Sequence, residues 1–390
     1  MKRVAKFLLK SLLIIIILLN LIILFSGRWY LYKAVYTTYL QGKGGPSATE
    51  YQIFDNNKVA ATNPKPWPKA KNYNTQQMPV DLDTKMKEVG SIAFVVIKND
   101  TLLHEQYWDS FSDTSHTNSF SMAKSYTSVL LGFAIRDGYI KNENELVSNY
   151  IPEFKDGPRS KITLKHLATM SSGIGFDESY ANPFSYPAEG YYGPDVMKAT
   201  VKYDQMISEP GAVFNYLSGN TTLLGYCIKK AVGKTLSEYL SEKLWGPLNC
   251  EHDAYWSVDK KGGLEKAFCC INSNAKDFAR VGKLYMHYGN WEGKQLLDSE
   301  YVANSIRPFD GKELDGSKNH TYGYAWWLTG YKGLRIFYMR GLLGQYVICI
   351  PQKKMIICKL AQKKRLPNLD HCPLDLAYSI DAAMAMYGDK

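Results

Sequence analysis

The chain has 390 residues, of which 45% are hydrophobic and 22% are charged, and its formal net charge at pH 7 is +10. This is ordinary globular composition, with ample apolar surface for a core. The basic residues form no recognisable nucleic-acid-binding module, so no nucleic-acid partner is expected.

The N-terminal segment has the composition of a membrane anchor. Residues 12–25 are apolar apart from Asn20, and basic residues precede them at Lys2, Arg3, Lys6 and Lys10. A spanning helix needs roughly 17–25 residues, which the run reaches when it is counted from Phe7. No small-x-small cleavage site follows, which favours an uncleaved anchor over a signal peptide. The positive charge before the span predicts that the rest of the chain lies outside the cytoplasm, on the periplasmic or extracellular side.

The chain divides by composition into three parts. We assign residues 1–33 to the membrane anchor, 34–80 to a juxtamembrane segment and linker, and 81–390 to the folded domain. Residues 34–80 are rich in Pro, Gly and Asn, which is typical of an extended connection.

The pattern of the folded domain predicts its fold class. Strand-like segments at 91–108 and 322–360 enclose a mainly helical middle. The sequence therefore predicts an α+β fold, with an antiparallel sheet flanked by helices and a helical second lobe across a cleft. Residues 174–195, rich in Tyr, are predicted to form a long loop without regular structure, of the kind that often lies over a binding site.

Three segments have a serine followed three residues later by a lysine: Ser121 and Lys124, Ser257 and Lys260, and Ser273 and Lys276. A serine hydroxyl is inert unless a base takes its proton, and residues three apart share a helix face. Ser121 leads a helical stretch that is apolar enough to be buried. Burial disfavours a charged ammonium, as a lysine base requires. The context favours Ser121 as a nucleophile, because Ser257 lies in a polar stretch and Ser273 precedes a helix start. The alternative at Ser121 is a capping serine and a surface lysine.

Two further elements carry candidate chemistry. Tyr216-Leu217-Ser218 precedes a predicted helix that Ser218 caps, and a phenol beside an ammonium can relay protons. Residues 341–345, Gly-Leu-Leu-Gly-Gln, lie at the edge of a predicted strand, where free N–H groups can hold an oxyanion. Tyr180-Ala181-Asn182 also fits the tyrosine pattern. The alternative for the tyrosine is ordinary packing, and the alternative for residues 341–345 is a turn at the end of a strand.

The order of these elements is more specific than any one of them. The segments that agree with one family pattern are 120–125, 162–173, 210–218, 275–282, 322–327 and 341–345. With them the chain resembles the β-lactamase-related serine hydrolases, and within these the proteins similar to 6-aminohexanoate-dimer hydrolase. The resemblance runs from about Ser91 to the C-terminus.

The resemblance implies a division of roles. Ser121 would be acylated, and Lys124 and Tyr216 would share the work of general base. The backbone N–H groups of Ser121 and Leu342 would form the oxyanion hole. Supporting or substrate-binding positions would be Ser218, Tyr180, Gly341, Gly344 and Gln345. The implied substrate is a small-molecule amide or ester, and no metal or organic cofactor is implied.

The chain departs from the family pattern on one strand. Many penicillin-recognising relatives carry Lys-Thr-Gly or His-Thr-Gly there, whose cation binds a substrate carboxylate, whereas this chain has Met339-Arg340-Gly341. This departure favours hydrolysis of other amides or esters. Penicillin-binding or β-lactamase activity and a non-catalytic, membrane-tethered binding protein are the alternatives.

The seven cysteines give no metal-ligand spacing, because no C-x-x-C pair occurs among them. Cys349 and Cys358 flank a predicted hairpin and could pair across it. The favoured expectation is that the cysteines are buried and free.

Overall fold

The structure is a computed structural model that describes residues 2–363, 366–369 and 372–388. Its α-helices are α1 (Lys2–Ser26), α2 (Tyr30–Thr37), α3 (Val80–Glu88), α4 (Ala123–Arg136), α5 (Leu164–Ala168), α6 (Tyr186–Tyr192), α7 (Val196–Val201), α8 (Ser218–Val232), α9 (Leu236–Leu240), α10 (Ala275–Met286), α11 (Ser299–Ser305) and α12 (Leu374–Tyr387). Its strands are β1 (Asn56–Val59), β2 (Ser91–Lys98), β3 (Thr101–Tyr107), β4 (Thr117–Asn118), β5 (Ala254–Ser257), β6 (Ile271–Ser273), β7 (Asn290–Trp291), β8 (Lys294–Gln295), β9 (Trp327–Tyr331), β10 (Leu334–Gly341), β11 (Gln345–Ile350), β12 (Met355–Ala361), β13 (Asn368–Leu369) and β14 (Cys372–Pro373).

A six-stranded sheet organises the domain, in the order β3-β2-β12-β11-β10-β9 with every neighbouring pair antiparallel. Its first hairpin turns at Asn99 and Asp100, whose φ angles of 49° and 60° suit a tight turn between twisted strands. The sheet therefore joins strands from both ends of the domain, and the predicted α+β class is confirmed.

Helices cover both faces of this sheet. On one face a large apolar core brings together α4, α8 and α10, and α4 is buried from Ala123 to Ala134. On the other face, α3 and α12 pack over a second apolar core. The helices between residues 164 and 245 form the second lobe, and α8 of this lobe packs against α4 in the same core.

The predicted linker lies against the domain. Strand β1 pairs with β5 in a small sheet of order β1-β5-β6-β4. Trp67 is 4% exposed, and its indole N–H donates to the carbonyl oxygen of Lys276 at 3.0 Å. Residues of the 34–80 segment thus pack on the domain instead of extending freely, and the boundary at residue 80 stays a prediction.

The N-terminal helix α1 has no buried residue, whereas the next helix, α2, packs on the domain. Within the described part of the chain, α1 is long and apolar enough to cross a membrane. Gly27, at φ 68°, turns the chain into α2. Helix α2 docks on the domain, because Tyr30 and Leu31 are buried and the Tyr30 hydroxyl donates to the carbonyl oxygen of Pro183 at 2.9 Å.

Two sequence predictions need correction. The loop at 174–195 is not without regular structure, since it contains α6; Pro187 lies in the first turn of this helix, where its fixed φ and missing N–H are tolerated. The first C-terminal strand begins at Trp327 and not at Tyr322, because Ala325 has a φ of 58° and interrupts the extended backbone.

Candidate active site

Ser121 sits on a tight turn at the edge of a cavity. It lies in a single 3₁₀ turn, Phe120–Met122, directly before α4. Phe120 has a φ of 43°, an uncommon conformation for a bulky residue, and its N–H donates to Oδ1 of Asn118 at 2.8 Å. The hydroxyl of Ser119 accepts from the N–H of Ile271 at 3.1 Å, which holds the turn against β6. These contacts fix the direction in which the Ser121 side chain points.

Lys124 is the immediate partner of Ser121. Its Nζ lies 3.0 Å from Oγ of Ser121 and donates to the carbonyl oxygen of Phe268 at 2.9 Å. The lysine is only 1% exposed. The ring centroid of Tyr216 lies 5.1 Å from the same Nζ, so the second candidate base borders the amine. The structure therefore brings together Ser121, Lys124 and Tyr216.

The other two Ser-x-x-Lys segments have different partners. The Ser257 hydroxyl donates to Oδ1 of Asn56 at 2.8 Å, within the β1–β5 pairing. Lys276 bonds Oδ2 of Asp113 at 2.9 Å, and Asn274 caps α10 by accepting the N–H of Asp277 at 3.0 Å. Both segments thus serve local structure.

Tyr216 and Ser218 are held by different neighbours. Tyr216 packs on Trp327, with ring centroids 5.0 Å apart. Ser218 is the first residue of α8, whose N-cap is Leu217, so the prediction that Ser218 caps this helix is wrong. The Ser218 hydroxyl donates instead to Glu178, which also accepts the Ser218 N–H at 2.8 Å. The Tyr180 hydroxyl donates to the same carboxylate at 3.3 Å, so Glu178 joins the 174–195 segment to the tyrosine motif.

The turn between β10 and β11 lies against the nucleophile turn. A Cβ atom on Gly341 would stand 2.2 Å from the carbonyl oxygen of Ser119, so only glycine permits this approach. Leu343 and Gly344 have φ angles of 62° and 87° and complete the turn. Gln345 is fully buried and donates to the carbonyl oxygen of Leu342 at 3.2 Å. Gly341 and Gln345 thus position the Leu342 backbone beside Ser121, and Gln345 does so from the interior of the fold.

Met339 and Arg340 lie on β10, where the sequence departs from the family pattern. Met339 is fully buried in the core that contains α4. The guanidinium carbon of Arg340 lies 5.4 Å from the ring centroid of Trp327, the ring that also contacts Tyr216. Arg340 is therefore linked to the site through Trp327.

Sequence reasoning missed three features of this site. The carbonyl of Phe268, which accepts from Lys124, and the carboxylate of Glu178 lie far along the chain from their partners and have no local signal. Cys269 and Cys270 form a disulfide between adjacent residues, so the expectation that all cysteines are free is wrong for this pair. It holds for the other five, Cys349 and Cys358 included, which are buried and free. The adjacency of the two cysteines was the available signal.

Ser121 opens into a cavity of about 420 Å³. The cavity is lined by Leu342, Phe268 and residues of 179–185, together with residues of α1 and α2. A second cavity of about 470 Å³ lies between α10 and the β9–β10 hairpin, and Ser121 is not part of its lining. Of these two cavities, the one at Ser121 contains the candidate nucleophile.

Comparisons of the sequence with known proteins identify its family. The family model described as Beta-lactamase matches residues 81–373. The 6-aminohexanoate-dimer hydrolase of Paenarthrobacter ureafaciens is 25% identical over 305 residues, which cover 72% of this chain and 75% of that protein. Protein flp of Staphylococcus aureus strain COL is 26% identical over 194 residues, which cover 47% of this chain and 38% of that protein.

Solved structures share the fold. A provisionally named 6-aminohexanoate-dimer hydrolase from Bacillus anthracis matches with a TM-score of 0.72 and 22% identity, over 87% of this chain and 91% of that chain. A class C β-lactamase matches with a TM-score of 0.61 and 15% identity, over 80% of this chain and 96% of that chain. At such identities the structural likeness shows the fold alone. The family match extends over most of the chain, and the protein therefore belongs to the Beta-lactamase family, within the superfamily of β-lactamase and penicillin-binding-protein-type serine hydrolases.

Proposed function

We propose that this protein is a membrane-anchored serine hydrolase that cleaves an amide or ester bond through an acyl-enzyme on Ser121. The observation that carries the proposal is the contact of 3.0 Å between Oγ of Ser121 and Nζ of the buried Lys124. A serine becomes a nucleophile when a base within hydrogen-bond reach takes its proton. Family membership supports a hydrolase of this class.

The proposed reaction uses the chain's own groups at each step. Oγ of Ser121 attacks the carbonyl carbon while its proton passes to Lys124, with Tyr216 sharing the role of base. Backbone N–H groups of Ser121 and Leu342 stabilise the oxyanion, and the proton then passes to the departing alcohol or amine. Water, activated by the same base pair, attacks the acyl-enzyme, releases the acid and returns the proton to Ser121.

The substrate is proposed to be an amide or ester other than a β-lactam. A buried methionine at position 339 provides no cation for the carboxylate of a penicillin-like substrate, and Arg340 lies against Trp327. β-Lactamase or penicillin-binding activity remains the alternative on this scaffold, because the matched family bears that name.

The catalytic domain is proposed to lie outside the cytoplasm. Helix α1 has the length and composition of a membrane span, and basic residues precede it. The disulfide between Cys269 and Cys270 supports the same side, since disulfides persist in oxidising compartments.

A fluorophosphonate probe tests the proposal on the full chain in a mild detergent, with the labelled peptide mapped by mass spectrometry. We expect labelling at Ser121 that is lost in Ser121→Ala. Ser273→Ala is the matched control, because Ser273 lies in another Ser-x-x-Lys segment and its hydroxyl has no hydrogen-bond partner among the described residues. A folded protein that takes no label would contradict the proposal and favour a non-catalytic binding protein.

A fluorescent penicillin distinguishes the two enzymatic alternatives. The proposal predicts that the penicillin neither labels Ser121 durably nor is turned over, while a simple ester is hydrolysed. Rapid acylation of Ser121 by the penicillin would instead favour penicillin-binding or β-lactamase activity.

A further inference from the structure

The cavity that Ser121 enters is walled in part by the membrane anchor. Leu19, Ile22 and Ile23, from the last turns of α1, line the same space as Ser121. Its volume of about 420 Å³ is in the range of ligand pockets, roughly 300–1,000 Å³. Most of the other wall residues are aliphatic or aromatic, so the catalytic serine and the anchor face one apolar space.

The base of the anchor is fixed to the site by packing. Tyr30 and Leu31 of α2 belong to one apolar cluster with Phe120 and Phe268, which flank Ser121 and Lys124. Ile23 of α1 packs against this cluster as well. Helix α1, the proposed membrane span, therefore ends within the wall of the cavity that Ser121 enters.

The surface around this junction has the composition of a membrane interface. Large apolar or aromatic side chains are exposed there at Trp29 (57%), Tyr36 (64%), Tyr39 (71%), Leu40 (70%) and Phe184 (43%). The guanidinium carbon of Arg28 lies 4.8 Å from the Phe184 ring centroid, and Lys33 follows on α2. Aromatic rings and basic residues at the end of a span are typical of the headgroup layer. This composition favours an orientation in which this face of the domain meets the membrane surface.

We infer that the cavity holds the hydrocarbon chain of a membrane-resident lipid ester or amide, which enters from the bilayer and not from solution. The inference rests on the proposed function of Ser121 and names its substrate class. Oγ of Ser121 forms a bond to the acyl carbonyl carbon, the bond to the headgroup alcohol or amine breaks, and that group receives the serine proton through Lys124 and Tyr216. Water then releases the fatty acid and restores the Ser121 hydroxyl.

Two alkyl fluorophosphonates, one with an ethyl and one with a dodecyl chain, test this on the full chain in phosphatidylcholine nanodiscs. We expect the dodecyl probe to label Ser121 about tenfold faster or more, because apolar burial favours each added methylene. Partition of the longer probe into the bilayer gives the same preference, so variants that fill the cavity are required.

Ala34→Trp and Ala181→Trp fill the cavity from α2 and from the 179–185 segment respectively. Each is expected to lower the ratio of dodecyl to ethyl labelling rates roughly tenfold, because the added indole occupies the space proposed for the longer chain. Thermal unfolding of each variant reports whether it folds. Ala303→Trp on α11, outside the cavity, is the matched control and is expected to change neither rate.

The outcomes separate this inference from the proposed function. The inference is overturned if Ser121 reacts with both probes at the same rate, or if both tryptophan variants keep the preference for the dodecyl probe. Either result is compatible with the proposed hydrolase function. If neither probe labels the unsubstituted protein, the proposed hydrolase function is contradicted as well.

Discussion

Gly341 packs so closely on Ser119 that a Cβ atom would stand 2.2 Å from the Ser119 carbonyl oxygen. The two residues belong to separate parts of the chain, at the end of β10 and in the segment that leads to Ser121. Their contact joins the two proposed donors of the oxyanion hole, because Leu342 follows Gly341 and Ser121 lies two residues after Ser119.

Gly341→Ala should therefore separate the two halves of the oxyanion hole. We expect kcat/KM for a nitrophenyl ester to fall by up to about 100-fold, since one lost oxyanion donor costs about 3 kcal/mol. The matched control is Gly330→Ala on β9, where the nearest neighbouring atom is 3.8 Å away. Equal activity of the two variants would show that the Gly341 contact does not position the oxyanion donors.

Lys124→Met should remove the proposed base while leaving an apolar side chain in the buried space. We expect kcat to fall by about 10²–10⁴-fold, the usual contribution of general base catalysis. The fold should lose about 1–3 kcal/mol, because the carbonyl of Phe268 loses its donor. Steady-state kinetics and thermal unfolding measure the two effects. Lys260→Met, from another Ser-x-x-Lys segment, is the control, and comparable kinetics in both variants would exclude Lys124 as the base.

The helix start and the first hairpin could be predicted because their signals are local. Ser121 and Lys124 are three residues apart, so helical geometry alone brings hydroxyl and amine together. The β2–β3 hairpin is marked by Asn99 and Asp100, residues that tolerate the left-handed conformation its turn requires.

The remaining parts of the site depend on contacts between distant segments. Phe268 is 144 residues from Lys124, and Glu178 is 40 residues from Ser218, so no periodicity in the sequence indicates either hydrogen bond. The composition of α1 indicates a candidate membrane span and nothing more, yet Ile22 and Ile23 of this helix line the cavity at Ser121. Docking of α2 on the domain produces that arrangement, and a hydropathy pattern does not reveal docking.

Glu178→Gln should weaken the link between the 174–195 segment and the tyrosine motif. The carboxylate of Glu178 accepts hydrogen bonds from Ser218 and Tyr180, whereas the amide of a glutamine has a single acceptor oxygen. The substitution should therefore weaken this hydrogen bonding by about 1.5–3 kcal/mol, the usual contribution of a hydrogen bond to a charged group. We expect KM to rise more than kcat falls, because Tyr180 lines the cavity. Ser218→Ala should have a smaller effect, since the Ser218 N–H still donates to Glu178. Unchanged kinetics in Glu178→Gln would count against a role for this link.

Lys266 should make stability depend on pH. Burial holds the pKa of its ammonium well below the ordinary lysine value; nearby Lys33 lowers it further, while Asp259 and Asp55 act in the opposite direction. Between the lowered pKa and the ordinary value of about 10.4, the unfolded chain binds a proton that the folded chain has released. The contribution of Lys266 to the free energy of unfolding therefore rises as the pH increases between those two pKa values.

Thermal midpoints of the full chain in detergent, taken from about pH 7 to about pH 10, measure this effect. Lys266→Met should remove the rise that Lys266 contributes, and the difference between the two proteins isolates it from other titrating groups. Parallel curves for the two proteins would show that Lys266 keeps an ordinary pKa in the fold.

The measurement that tests the central claim most directly is the rate of nitrophenyl ester hydrolysis by Ser121→Ala, compared with the unsubstituted full chain and Ser273→Ala in the same detergent. Loss of a serine nucleophile costs at least about 10³-fold in characterised serine hydrolases. We predict a loss of this size in Ser121→Ala and none in Ser273→Ala. Undiminished hydrolysis by a folded Ser121→Ala protein would contradict the assignment of Ser121 as the nucleophile.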